Sequence, residues 1–370
     1  SWRGDARGSR VEGAAMIPSA RLAPRSSMHR SKLVVTIAFA LVAGGLALDV
    51  FAQRTSDPKR GVPYGPRDDV RAFAAEVAAE TGLDRRSVER WLAAARFQPQ
   101  IVTLMSKPIV EPPKWFEYAP PFLSADRIAG GVAWWSANED ALERAEAKWG
   151  VPPEIVVAIV GIETSYGRLT GSFRVIDALA TLAFDYPRRA PFFRGELKEF
   201  LLLSGEQGFT PLVPKGSFAG AMGVPQFMPG SFRRYAVDFD GDARIDLWGS
   251  AADVVGSVAN YLARHDWQPG GQTIVPAAIA DEHRDAVLRR LDGGMSERRP
   301  LDAWAGDGVG PATLVEPVDE PVGLLMLEES PSDASYWIAY PNFYVITRYN
   351  RSRLYASAVI NLAEAIRAAR

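Results

Sequence analysis

A single carboxylate, Glu163, sits deep in a nearly unbroken apolar stretch, KWGVPPEIVVAIVGIETSYGR from Lys148 to Arg168. Pro152 and Pro153 suit the first turn of a helix, where a backbone donor lacks a partner in any case, and Glu154 stands where the positive end of the helix dipole favours an anion. From Ile155 to Ile162 there is no charge, so this helix is apolar nearly all round and is expected to be buried. Glu163 then ends a buried helix, and Thr164, Ser165, Tyr166 and Gly167 form a turn better suited to opening a cavity than to filling a core. Burial favours the neutral acid and raises its pKa. A carboxylic acid that keeps its proton near neutral pH is what general-acid catalysis requires. The structural alternative is a glutamate paired with Arg168 or Arg174 at a helix end.

Two further clusters have the composition of a binding groove. In KGSFAGAMGVPQFMPGS, from Lys215 to Ser231, the small residues (Gly216, Ser217, Ala219, Gly220, Ala221, Gly223) allow close approach to backbone. Gln226 there supplies an amide with donors and an acceptor, and Met222, Phe227 and Met228 supply apolar walls. A Gly-rich turn packed by Met and Phe is the alternative. IAYPNFYVITRYN, from Ile338 to Asn350, is dense in Tyr and Asn, which suits aromatic faces stacked on sugar rings, although an aromatic strand taken alone is more often core.

A fourth group is chemically explicit. Asp238, Asp240 and Asp242 alternate, Asp246 and Asp253 follow, and the Arg244 carbonyl falls at the seventh position, the pattern of an oxygen-ligating calcium loop. The loop departs from the standard pattern, with Ala243 at the sixth position and Gly249 at the twelfth. Asp253 could close a longer loop, and an acidic turn capping the helix near Ser250 is the alternative.

The elements that must position these residues read as mainly helical. Asp68 to Ala95 repeats apolar residues at helical spacing and predicts two short helices. Lys107 to Leu123, rich in proline and aromatics, predicts an extended wrap. Ser124 to Lys148 predicts one long helix with Ala125, Ile128, Val132, Trp135 and Leu142 inward. Phe173 to Leu203 is helical with a break at Tyr186-Pro187, Pro211 to Pro229 is loop, and Leu247 to Trp267 is helical. Gly270 to Pro331 predicts short helices and short polar strands of an insertion. Tyr336 to Val345 alternates as a strand, and Ser352 to Arg370 is an amphipathic helix.

Composition narrows the function. With 370 residues, 47% hydrophobic and 23% charged, the chain can bury a large core in one or two domains. A formal net charge of -2 gives no basic field for nucleic acid. The absence of cysteine excludes disulfides and thiolate chemistry. Three histidines, His29, His265 and His283, supply a His-zinc site or a Ser/His triad poorly. MHRSK from Met28, the apolar run Leu33 to Leu48 and Val50-Phe51-Ala52 before Gln53 form a signal-peptide pattern, so a periplasmic protein is expected. An uncleaved anchor is the alternative, against which stand the shortness of the run and Gly44 and Gly45. No cysteine follows the run, so no lipid attachment is expected.

Taken together, GIETSYGR, DALATLAFDYPRRAPFFRGELKEFLL, KGSFAGAMGVPQFMPGSFRRYAVDFDGD, SVANYLARHDW and PNFYVITRYNRS resemble the family B lytic murein transglycosylases, from about Val70 to the C-terminus. The resemblance implies a mainly α, lysozyme-like core with a helical N-terminal part and small inserted β elements. It implies cleavage of the β-1,4 bond between N-acetylmuramic acid and N-acetylglucosamine in peptidoglycan, with a 1,6-anhydromuramoyl product and Glu163 as acid and then base. Two-carboxylate glycosidases need a second acid; here the substrate would supply that function. The resemblance further implies that Tyr118, Arg188, Arg189, Ser217, Met222, Gln226, Phe227, Tyr261, Tyr349, Asn350 and Tyr355 line the saccharide subsites. It implies an EF-hand-like calcium site on Asp238, Asp240, Asp242, Arg244 and Asp253, with sodium as the alternative ion, and no catalytic cofactor. Glycan strands and cell-wall synthases are the expected partners, nucleic acid is not, and a monomer is expected. The alternatives are a hydrolytic muramidase and a catalytically silent wall-binding scaffold; retention of Glu163, Ser217 and Gln226 argues against the second. The expected organisation is an upstream extension (1–27), signal peptide (28–52), linker (53–67), helical N-terminal part (68–148), catalytic core with the calcium loop (149–269), insertion (270–335) and a closing strand and helix (336–370).

Overall fold

A computed structural model describes residues 61–107, 112–313 and 319–370. The extension, the signal peptide and all of the linker before Gly61 lie outside the described residues. The two short helices are α1 (Asp68–Thr81) and α2 (Arg85–Ala94). Gly82, left-handed at φ 74°, ends the first by giving its N–H to the Ala78 carbonyl, and Asp84 caps the second through the Ser87 N–H. Two carboxylates, one half-buried and one buried, fasten this region to the core. Asp185 accepts the Tyr64 hydroxyl at 2.6 Å and the Arg67 guanidinium at 2.8 Å. Asp177, 4% exposed, accepts the Arg96 amide at 2.9 Å and Arg174 at 2.7 Å.

After α3 (Pro99–Ser106), the proline-rich wrap carries one helical turn, α4 (Trp115–Tyr118). The long helix expected next is two, α5 (Ala125–Ala137) and α6 (Glu139–Trp149). Asn138 breaks it: its side-chain amide donates to the Trp134 carbonyl at 2.7 Å, taking the place of a backbone donor, and acidic residues open the new helix. On α5 the buried face holds Arg127, while Ala125, expected inward, is exposed. The apolar helix α7 (Pro153–Thr164) is buried at every residue from Ile155 to Ile162. It lies against α5, α6, α11 (Ala251–Ala263) and the closing helix α15 (Arg353–Ala369). Between them come β1 (Phe173–Arg174), α8 (Val175–Asp185), a 3-10 turn at Pro187–Arg189, α9 (Ala190–Glu206), β2 (Lys215–Gly216) and α10 (Pro229–Tyr235), with β1 paired to β2.

Residues 270–335 differ from the expected polar insertion. They contain β3 (Ile274–Ile279), α12 (Arg284–Leu288), α13 (Leu301–Gly306), β4 (Val309–Pro311), β5 (Gly323–Ser330) and the start of β6 (Asp333–Ala339), forming an antiparallel sheet ordered β4-β3-β6-β5. Its strands are apolar on both faces. Ile274, Leu325, Leu327 and Ala339 join the main core, and Val275, Leu324 and Ile338 join a second core with Val287 and Trp304. The alternation expected to continue to Val345 stops at Ala339, because Pro341 starts a helix, α14 (Pro341–Tyr349).

Candidate active site

Glu163 is the penultimate residue of α7, partly accessible in a helix otherwise closed to solvent. The chain turns sharply behind it: Ser165, Tyr166 and Gly167 take φ of 52°, 63° and 84°, left-handed values that cost non-glycine residues about 1–3 kcal/mol each. Three contacts hold that turn. The Arg127 guanidinium donates to the Gly161 carbonyl and the Ser165 hydroxyl, the Tyr166 hydroxyl donates to the Arg127 carbonyl at 2.7 Å, and Thr164 donates its hydroxyl to the Val224 carbonyl at 2.9 Å. Arg127 is 8% exposed and has no carboxylate partner among the described residues. Sequence reasoning missed it, since an arginine on a helix otherwise reads as a solvent-facing residue; its apolar neighbours were the only available signal.

The ion pairs that would make Glu163 structural do not form. Arg168 donates to the Ser165 carbonyl, and Arg174 is held by Asp177. Glu163 instead accepts the Tyr355 hydroxyl at 2.6 Å. Burial, partly offset by that hydrogen bond, pushes its pKa up to about 7. No other acid contributes to the shift. Tyr118 and Tyr349 also face it: burial first, and then the Glu163 charge, raise both phenols and that of Tyr355. The Tyr349 and Tyr355 rings are stacked at 6.4 Å and 12°, Phe227 and Tyr261 lie 5.8 and 4.8 Å from Tyr349, and the Tyr349 hydroxyl donates to the Pro225 carbonyl at 2.6 Å. Asn350 ends α14 beside this wall.

The Gly-rich loop is built around its own polar groups. The Ser217 hydroxyl accepts the Ala219 and Ala221 amides at 3.3 and 3.0 Å, and Gln226, left-handed at φ 54°, donates Nε2 to the Thr170 and Gly223 carbonyls. Both amide hydrogens of Gln226 are thereby used, which leaves Oε1 to meet a ligand. A Cβ on Gly171 would lie 2.1 Å from the Gly216 carbonyl oxygen, at φ 97°, so only glycine lets these two loops touch. Met222 is wholly buried and bridged to Phe227. Arg188 and Arg189 lie on the 3-10 turn, Arg189 stacked 4.3 Å over Phe192, and no contact joins either to Glu163.

In the acidic loop, carboxylate oxygens of Asp238, Asp240 and Asp253 come within 4.8 Å of one another, close enough for one ion. Asp253, the third residue of α11, is buried and accepts the Phe239 and Asp246 amides, each at 2.7 Å. Ala243 takes the left-handed φ of 68° that the sixth loop position needs. The Asp242 carboxylate falls outside the group and accepts the Arg244 amide at 2.8 Å. Three oxygen donors fit a hard cation such as calcium.

The fold and the site define a class: a mainly helical, lysozyme-like protein with one proton-holding carboxyl in a tyrosine-walled cleft. The chain matches the transglycosylase SLT domain family over residues 65–364. It is 40% identical over 325 residues to the membrane-bound lytic murein transglycosylase B of Escherichia coli (strain K12), covering 84% of this chain and 86% of that one. It aligns with the soluble lytic transglycosylase SltB1 from Pseudomonas aeruginosa at a TM-score of 0.76 and 43% identity, over 82% of this chain and 99% of that one. The Escherichia coli lytic transglycosylase Slt35 in complex with calcium aligns at 0.76 and 40% identity, over 84% and 96%. SltB3 from Pseudomonas aeruginosa in complex with NAG-anhNAM-pentapeptide aligns at 0.69 and 32%, over 80% and 78%. The chain belongs to the transglycosylase SLT domain family.

Proposed function

We infer that this protein is a lytic murein transglycosylase that cleaves the β-1,4 bond between N-acetylmuramic acid and N-acetylglucosamine in peptidoglycan. The observation that carries the mechanism is a lone carboxyl, Glu163, with its pKa near neutrality and a tyrosine hydroxyl on one oxygen. Protonated Glu163 gives its proton to the glycosidic oxygen as the bond to the muramic C1 breaks. The acetamido oxygen of the muramic residue bonds to that C1 and stabilises the cation. The Glu163 carboxylate then removes the proton of the sugar's own C6 hydroxyl, whose oxygen attacks C1 and displaces the acetamido oxygen, whose bond to C1 breaks. The product is the 1,6-anhydro sugar, no water is consumed, and Glu163 regains its proton. The absence of a second acid acting on Glu163 favours this over two-carboxylate hydrolysis.

Tyr118, Tyr349, Tyr355, Tyr261, Phe227, Gln226, Asn350 and Ser217 form the saccharide groove in this proposal, with Arg188 and Arg189 on an outer rim. Asp238, Asp240 and Asp253 would hold calcium, which pins the loop before α11 and takes no part in the chemistry. The solved relative in complex with calcium supports that assignment. The protein acts as a monomer in the periplasm; among the described residues no helix is long and apolar enough to cross a membrane. Digestion of purified peptidoglycan, with mass spectrometry of the soluble products and Glu163→Gln as control, tests the reading. Anhydro ends absent from the variant are expected. Reducing ends from the wild type would make it a hydrolase.

A further inference from the structure

The sheet of residues 270–339 shares one ion pair with the cleft. Arg353, the first residue of α15, donates Nη2 to both oxygens of Glu328 on β5, at 2.9 and 3.0 Å. Its remaining donors are also taken: Nε by the Gly293 carbonyl and Nη1 by the Met326 carbonyl, each at 2.7 Å. The side chains are 13% and 16% exposed for Arg353 and Glu328, more enclosed as a pair than any other ion pair among the described residues. The loop is shaped for this guanidinium, since a Cβ on Gly294 would lie 2.5 Å from Nε. The strand is shaped for the carboxylate, since the β5–β6 register breaks directly after Glu328, and such irregularities re-aim side chains near functional sites.

Glu328 has a second attachment. Against the cost of burial, its own amide, the Arg353 guanidinium and the Trp115 amide hold its carboxyl below the usual range. Trp115 opens α4, which packs on β5 and carries Tyr118, and Tyr355 lies two residues beyond Arg353. The strand that carries Glu328 therefore packs on the helix of Tyr118, and Glu328 itself holds the first residue of the helix of Tyr355.

We propose that Glu328 is a positioning residue for the reaction: through Arg353 it sets Tyr355 against Glu163. This rests on the proposed role of Glu163, and the role of the accessory sheet becomes that of a brace for the cleft. The groups facing Glu163 are Tyr118 from α4, Tyr349 from α14 and Tyr355 from α15. Only the Tyr355 hydroxyl bonds to it, and that bond favours the carboxylate. Loosening Glu328 should therefore raise the titration midpoint of Glu163.

The test uses Glu328→Gln and Arg353→Lys, which keep side-chain size or charge while weakening the fork. The midpoint is read without turnover, from the difference in melting temperature between each background and its Glu163→Gln derivative across pH. It should rise by roughly half a pH unit or more in both variants, and kcat on soluble glycan fragments should fall about tenfold with KM nearly unchanged. A midpoint within about 0.2 unit of wild type in a folded variant, with kcat also unchanged, overturns the proposal. A shifted midpoint in a protein whose wild type yields no anhydro ends would leave the positioning role standing and remove the assigned reaction.

Discussion

At the scale of single residues, the proposed chemistry depends on Glu163 being hard to ionise. Its carboxyl is raised from 4.5 to about 7 by burial, so the native state binds more protons than the unfolded chain between those values. The stability Glu163 contributes is complete below about pH 4.5 and is lost as pH rises through about 7. Glu163→Gln, which cannot ionise, should match wild type in melting temperature near pH 4.5 and exceed it above pH 7, by about 3 kcal/mol in free energy. Equal melting temperatures at both pH values would mean that the carboxyl is solvated in the free protein. This residue was legible because an uncharged helix ending in one acid is rare enough to draw attention. Tyr355 was not legible in the same way: it stands 192 residues away, and only resemblance to a family pointed to it. Arg127 escaped both routes, because what makes it matter is a carbonyl of another helix.

At the scale of elements, three loops matter: two that meet behind Glu163 and are tested together, and the acidic loop. The loop behind Glu163 and the Gly-rich loop meet at Gly171, where any side chain would run into backbone at Gly216 and Ser217. Gly171→Ala should cost about 3 kcal/mol or more by urea unfolding, since neither backbone can yield cheaply. A loss below about 1 kcal/mol would show that the two loops are not rigidly apposed. In the acidic loop, Asp253 already organises the backbone through two amides, so the loop should keep its shape without an ion while losing stability. Removing calcium with a chelator should lower the melting temperature by a few degrees, reversed by added calcium. No change across millimolar calcium would mean that the three carboxylates only cap α11. The alternating aspartates, and Asp253 as a residue that could close a longer loop, were visible in the chain; that the Asp242 carboxylate stands aside was not, because loop closure depends on where α11 begins.

At the scale of the whole molecule, the sheet couples two cores. Leu325 and Leu327 face one and Leu324 the other, so neither core can open without exposing the sheet. Trp304→Ala, which hollows the second core, should cost about 3–5 kcal/mol and still give a single unfolding transition. A separate early transition would mean that this region melts independently. The two short N-terminal helices, the buried α7 with the acid at its end and the closing helix were determined by the sequence alone, because apolar periodicity, proline and capping residues act over one or two turns. The run GLLML could not reveal its setting, since a strand buried on both faces loses the alternation that marks a strand. Only the tertiary structure decided which groups surround Glu163, and so its pKa, because desolvation and the Tyr355 bond come from segments brought together by packing and not by spacing along the chain.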